Sequence, residues 1–161
     1  LQAQINPHFI YNTLNVISSK GLEHKVLDIV DICEHFSKML RYSSETSCQT
    51  ATLQKELAHT ASYLQLMKFR YTDRLKYTID AEERLYDFSL PKLVIQPLVE
   101  NCISHGYKNN LREMQISVVC CSCEDGILIK ISDSGDGFPE EIQKELMISI
   151  EELKNGQLSH F

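Results

Sequence analysis

Two apolar stripes with helical spacing open the chain, and they constrain everything that follows. In residues 1–19, Ile5, Phe9, Ile10 and Leu14 fall on one side of a helix. From roughly His24 to Tyr42 the pattern returns with Val26, Leu27, Ile29, Val30, Ile32, Cys33, Phe36, Met39 and Leu40. Only the break Ser18-Ser19-Lys20-Gly21 separates the two. Helices linked so closely fold back as an antiparallel hairpin. Two helices cannot cover this much apolar surface on each other, so the pattern predicts a second hairpin and a dimeric four-helix bundle. One defect stands inside the first stripe, in "INPHFIYNTLN". Pro7 lacks a backbone donor and crowds the preceding turn, so it either kinks this helix or marks its start.

Beyond the hairpin the period changes. "SSETSCQTAT" is polar and reads as a linker. Thr52 is placed to cap a third helix bearing Leu53, Leu57, Ala61, Leu64 and Met67, with Glu56 near capping-box spacing. "LKYTIDA" alternates like a strand. "LPKLVIQPLVENCISHG" reads as a buried helix stopping at Gly106. "MQISVVCCSC", the turn "EDG" and "ILIKISDSG" form a predicted β-hairpin. "PEEIQKELMISIEEL" reads as a last helix, with Pro139 first and acids in its first turn. The fold class is α+β, with a helical hairpin over residues 1–48 and an α/β layer domain over 49–161.

Charge narrows the function. The net charge is −6, and the one basic stretch, "KFRYTDRLK", is short and contains an aspartate. A nucleic-acid surface needs clustered Lys and Arg, so that class is excluded. The six cysteines, at 33, 48, 102, 120, 121 and 123, form no CxxC pair and read as free buried thiols of a reducing cytoplasm. There is no signal peptide and no apolar run long enough to span a bilayer. The chain begins at Leu1, inside a helical pattern, and reads as a fragment of something longer.

Three patches have residues suited to chemistry. In the first, His8 follows Pro7, and Asn12 lies one turn on along the same face. A neutral imidazole is a nucleophile near pH 7 when exposed and held in one tautomer. By themselves these residues describe no more than a surface histidine near a helix start. In the second, Glu100 and Asn101 interrupt an apolar helix, with His105 one turn beyond Asn101. Burying such groups unpaired costs about 1–3 kcal/mol for a neutral one and more for a charge. Either they face a cation or ligand, or they form a cap or local network. The third is "DSGDGFPEE". Gly135 and Gly137 let the backbone turn and approach a ligand, and Asp133 at the strand end can accept from an amino group. Hairpin ends share this pattern, and a calcium loop would need more oxygen ligands than Asp133 and Asp136 supply.

The order of these patches makes a joint pattern. "LQAQINPHFIYNTLN" resembles the phosphoacceptor box of the sensor histidine kinases of two-component systems, of the LytS/YehU type. "LPKLVIQPLVENCISHG" is similar to their N box and "DSGDGFPEE" to their first glycine box. "LRYS" and "YLQLMKFRYTDRL" are also similar to stretches of that family. The resemblance implies an ATP-binding α/β sandwich related to the gyrase-type ATPases, and phosphoryl transfer from ATP to a histidine on a dimerising hairpin. From there the group passes to an aspartate of a response regulator. By this resemblance His8 is the phosphoacceptor, and Asn101 holds Mg²⁺ through the phosphates. His105 belongs to the nucleotide pocket. Asp133 receives the adenine amino group, and Gly135 and Gly137 shape the wall. Phe9 stands where many such kinases carry an acid, which leaves Glu100 and Asn12 as candidates for the proton acceptor. The family continues past the equivalent of Phe161 into a second glycine box, so the expectation is an incomplete lid and a weakly active or inactive fragment. The resemblance further implies a homodimer, a receiver-domain partner, and a cytoplasmic position in a membrane sensor attached through segments outside this chain. The competing reading is a degenerate module that dimerises and binds a response regulator without making phosphohistidine.

Overall fold

The structure is a computed structural model and describes residues 7–45, 47–106, 113–124 and 126–154. Two helices come first, α1 (Pro7–Glu23) and α2 (Leu27–Ser44), packed against each other as a hairpin. Pro7 is the first described residue of α1, and the question of a kink there falls outside the described residues. The break expected at Ser18 to Gly21 is absent, because α1 runs through it to Glu23. Gly21 is buried, and a Cβ placed on it would lie 3.2 Å from Ile29 Cβ and Cγ2 and from Val30 Cγ2. Its missing side chain lets α2 approach. The turn comes three residues later. Val26 N donates to Gly21 O at 2.8 Å and Lys25 N to Leu22 O at 3.1 Å, a Schellman closure with Lys25 left-handed at φ 58°. Glycine is the usual occupant of that position, so the sequence concealed the turn.

The expected linker contains a short strand. β1 (Thr50–Thr52) pairs antiparallel with β3 (Ser89–Pro91), Ala51 opposite Leu90. Between them lie α3 (Leu53–Tyr71), a 3₁₀ turn over Thr72–Arg74, β2 (Leu75–Ala81) and a second 3₁₀ turn over Glu83–Leu85. Then follow α4 (Ile95–Gly106), β4 (Met114–Cys123), β5 (Gly126–Asp133) and α5 (Glu140–Lys154). The sheet order is β2-β4-β5, with β2 parallel and β5 antiparallel to β4. Strand alternation sorts its two faces. Leu75, Met114, Ile116, Val118 and Cys120 are buried toward α3 and α4, with Tyr77, Ile79, Ile129 and Ile131 packed around them. Lys76, Thr78, Asp80, Lys130 and Ser132 are exposed. The core is completed by Leu53, Leu57 and Leu64 of α3 and by Ile95, Val99 and Ile103 of α4.

The molecule is therefore α+β, with a helical start and an α/β part. One boundary in this part moves. The helix expected from Leu90 begins at Ile95, because Leu90 and Pro91 belong to β3. Pro97 then lies in the first turn of α4, where its missing N–H costs nothing. That helix also exposes Leu98, Glu100, Asn101, Ser104 and His105, so it is buried along one side only. Of the six free thiols, Cys33 and Cys120 are buried, Cys102 and Cys121 are half-buried, and Cys48 and Cys123 are exposed. No helix among the described residues is long and apolar enough to cross a membrane.

Candidate functional site

A cavity of about 610 Å³ opens between α4, β5 and the loop after β5. Its walls are Leu98, Ile129, Ile131 and Phe138, and its polar groups are Asn101, Cys102, His105 and Asp133, with Gly137 at the edge. Asn101, Cys102 and His105 share a side of α4 through the helical repeat, one turn separating the first from the last. Asp133 is the last residue of β5, paired with Ile116 of β4, and this fixes where its carboxylate starts. Its Oδ1 accepts the Gly135 N–H at 2.7 Å, a short local turn that aims the acid. Gly137 has φ 70°, a conformation that glycine adopts without cost. The Cys102 thiol is pushed up to about 11, first by burial and then by its hydrogen bond and charge contact with Asp133. It is thus a neutral donor at pH 7 that helps hold the carboxylate.

The structure brings Asn101, His105, Asp133 and Gly137 into one place. Gly135 acts from behind, through its N–H on Asp133. Glu100 is exposed and does not line the cavity. Its charge falls on Tyr63 of α3, whose hydroxyl is pushed up to about 12 by burial and then by Glu100. Among the described residues no three His, Cys, Asp or Glu side chains form a metal cluster. Asn101 offers a single amide oxygen, which suits Mg²⁺ in company with phosphate oxygens and water, because that ion keeps several non-protein ligands.

His8 belongs to the other part of the molecule. It is exposed in the first described turn of α1. Asn12 Nδ2 lies 3.3 Å from His8 Nδ1, one turn along the same helix, so the amide can donate to that ring nitrogen and fix the ring's orientation. Phe9 beside it is 68% exposed, an apolar side chain held in solvent next to the imidazole.

A second polar centre was not legible as such. Thr52 caps α3 as expected, accepting from Lys55 N at 3.4 Å. Glu56 does not close a capping box. It is fully buried, and its carboxylate accepts Leu93 N at 2.7 Å, Val94 N at 3.0 Å and Ile95 N at 3.2 Å, the amides that open α4. The Tyr42 hydroxyl of α2 donates to the same carboxylate. Lys92 Nζ donates to Tyr42 O at 2.9 Å and Glu45 O at 2.7 Å, at the end of α2, and lies 4.4 Å from the Tyr42 ring centroid. The S/T-x-x-x-E spacing was the available signal, and it pointed to the wrong helix end.

Known proteins share this arrangement of sequence. Residues 1–75 match the histidine kinase family. The chain is 35% identical over 144 residues to the sensor protein LytS of Staphylococcus saprophyticus, covering 88% of this chain and 24% of that protein. To the sensor histidine kinase YesM of Bacillus subtilis it is 32% identical over 142 residues, with 88% and 25% covered. To LytS of Bacillus subtilis the identity is 30% over 149 residues, with 91% and 25% covered. The chain spans about a quarter of the length of these curated relatives. The class is histidine kinase. Within it, the chain belongs to the sensor histidine kinases of the LytS type.

Proposed function

We propose that this chain is the kinase core of a two-component sensor, moving the γ-phosphoryl group of ATP to His8 and from there to a receiver-domain aspartate. The observation that carries this is the cavity, which collects Asn101, His105, Asp133 and Gly137 from two separate segments beside an apolar slot. Leu98, Ile129, Ile131 and Phe138 offer faces for a planar base, and Asp133 an acceptor for its amino group. Two carboxylate oxygens have about four lone-pair sites, so Asp133 keeps capacity after accepting Gly135 N–H. Asn101 lines the cavity and would hold Mg²⁺ through the triphosphate. Bound Mg²⁺ neutralises charge on the transferring group.

The chain's own groups do the rest. Asn12 orients the His8 ring through its contact with Nδ1. Positioning of this kind supplies much of the barrier reduction in phosphoryl transfer. Exposure of Phe9, Val16, Ile17, Leu22, Ile29, Ile32 and Phe36 along the hairpin supports pairing with a second copy through residues 1–48, with 49–161 as the ATP-binding part. Placement on the cytoplasmic side of a membrane sensor follows from the same reading.

The test is transfer of label from γ-³²P-ATP in the full-length protein. Label is expected on His8 alone, lost in acid and stable in alkali. Acid-stable label, or label persisting in His8→Gln, overturns the assignment.

A further inference from the structure

We propose that Glu56 and Tyr42 are positioning residues for phosphoryl transfer, locking the last turn of α2 to the first turn of α4 through the 92–95 turn. The proposal rests on the kinase reading above and extends it to the junction between hairpin and cavity.

The geometry is specific. A buried carboxylate needs its lone pairs filled. Glu56 fills them with four donors, the amides of Leu93, Val94 and Ile95 and the hydroxyl of Tyr42. Three of these are unpaired N–H groups at the start of α4, where negative charge is favoured by the helix dipole. The fourth comes from the last turn of the hairpin. Lys92, immediately before these amides, reaches the carbonyls that end α2, the complementary arrangement of a cation at a helix C-terminus. One short turn therefore clamps the end of α2 and the start of α4 together, with Glu56 of α3 as the common anchor.

The turn is also strained. Leu93 has φ 60°, left-handed for a residue with a branched side chain. Such a conformation persists where the surroundings over-determine it, and Glu56 Oε1 holds the Leu93 amide directly. Releasing Tyr42 removes one of the four donors and loosens what keeps the turn in place. Asn101 lies six residues after Ile95 on the same helix, so a change at the first turn of α4 moves the cavity's polar edge. Movement of the hairpin that bears His8 is thereby tied to the helix that bears Asn101.

Tyr42→Phe isolates the effect. It removes one hydroxyl, leaves the three amides on Glu56, and keeps the ring for Lys92 and for His59, whose centroid is 4.5 Å away. Two measurements on the full-length protein decide. Amide hydrogen exchange at Val94 and Ile95 is expected to accelerate about tenfold in Tyr42→Phe, whether or not the protein is a kinase. Steady-state autophosphorylation is expected to lose about tenfold in kcat with a smaller rise in KM for ATP, and no further loss is expected when Tyr42→Phe is added to Glu56→Gln. Unchanged exchange overturns the clamp. Changed exchange with kcat within twofold of wild type overturns its role in transfer, as does an equal loss in kcat when residue 56 is already Gln. If Glu56→Gln fails to fold, the single variant decides alone. Accelerated exchange in Tyr42→Phe, with no phosphohistidine formed by the wild type, overturns the kinase reading and the transfer role with it, while the clamp stands.

Discussion

Asp133 shows how much one side chain can be asked to do. It faces the cavity, accepts from Gly135 N–H, and is held by the Cys102 thiol. Asp133→Asn replaces one acceptor oxygen with a donor that faces the same groups. Losing a hydrogen bond to a charged acceptor costs about 1.5–3 kcal/mol, or about ten- to a hundredfold in affinity. Titration of the full-length variant with MgATP should show that loss, and an unchanged Kd would place the nucleotide elsewhere. Lys25 makes a different kind of prediction. Its left-handed φ of 58° costs a side-chain-bearing residue about 1–2 kcal/mol. Glycine there removes the strain but adds freedom to the unfolded chain, worth about 0.5–1 kcal/mol. Lys25→Gly should therefore stabilise the hairpin by about 0.5–1 kcal/mol in denaturant unfolding. At this scale the sequence marked His8, Asn101 and Asp133 as candidates because each sits in a short motif. Cys102 was not readable, because its role comes from facing a strand end 31 positions away in the chain.

The helices and strands were mostly written in periodicity, and their ends were not. β2 occupies Leu75–Ala81, the alternating "LKYTIDA" itself, because alternation over a half-buried sheet has one solution. The turn between α1 and α2 lies beyond the break expected at Ser18 to Gly21. Here Gly21 is a contact residue. Gly21→Leu would drive a side chain into Ile29 and Val30, which already lie 3.2 Å from where a Cβ would be. Overpacking of this kind costs about 1–3 kcal/mol. A drop in melting temperature of the hairpin is expected, and an unchanged value would show that the two helices separate freely. The start of α4 also lies later than the apolar run suggests. Leu90 and Pro91 are apolar like the helix after them, but their backbone pairs with β1, a partner some forty residues earlier.

For the whole molecule, the packing between hairpin and α/β part should be visible in its pH dependence. His59 is 4% exposed between α2 and α4, and burial first of all pulls its imidazole below the ordinary histidine value. Gln96 and Glu56 act against that shift, and Lys92 with it. The folded state thus prefers neutral His59. Its contribution is present above the unfolded value of about 6.5 and is lost as pH falls through the lower folded value. Tyr42, Tyr63 and Tyr77 are shifted the other way, upward, with burial the largest cause. Their contribution is complete below about pH 10 and is lost as the pH rises through the raised values. Melting temperature should therefore fall on both sides of a neutral to mildly alkaline plateau. His59→Phe should flatten the acid side, and a slope that survives it would assign the acid sensitivity to other groups.

By itself the sequence determined the hairpin, the alternating strands, the class of kinase and the residues at the heart of the candidate site. These are properties of local spacing, since helical and strand periods and short motifs are set by residues within a few positions of each other. The tertiary structure alone decided the rest. It set Asn101 and Asp133 across one cavity, moved Glu100 away from it, and turned Glu56 from a presumed cap of its own helix into the anchor of another. Each of these depends on which amides and carbonyls are left unpaired at distant chain ends once the core has formed. No local pattern records that, because a buried carboxylate goes to whichever donors packing leaves within reach.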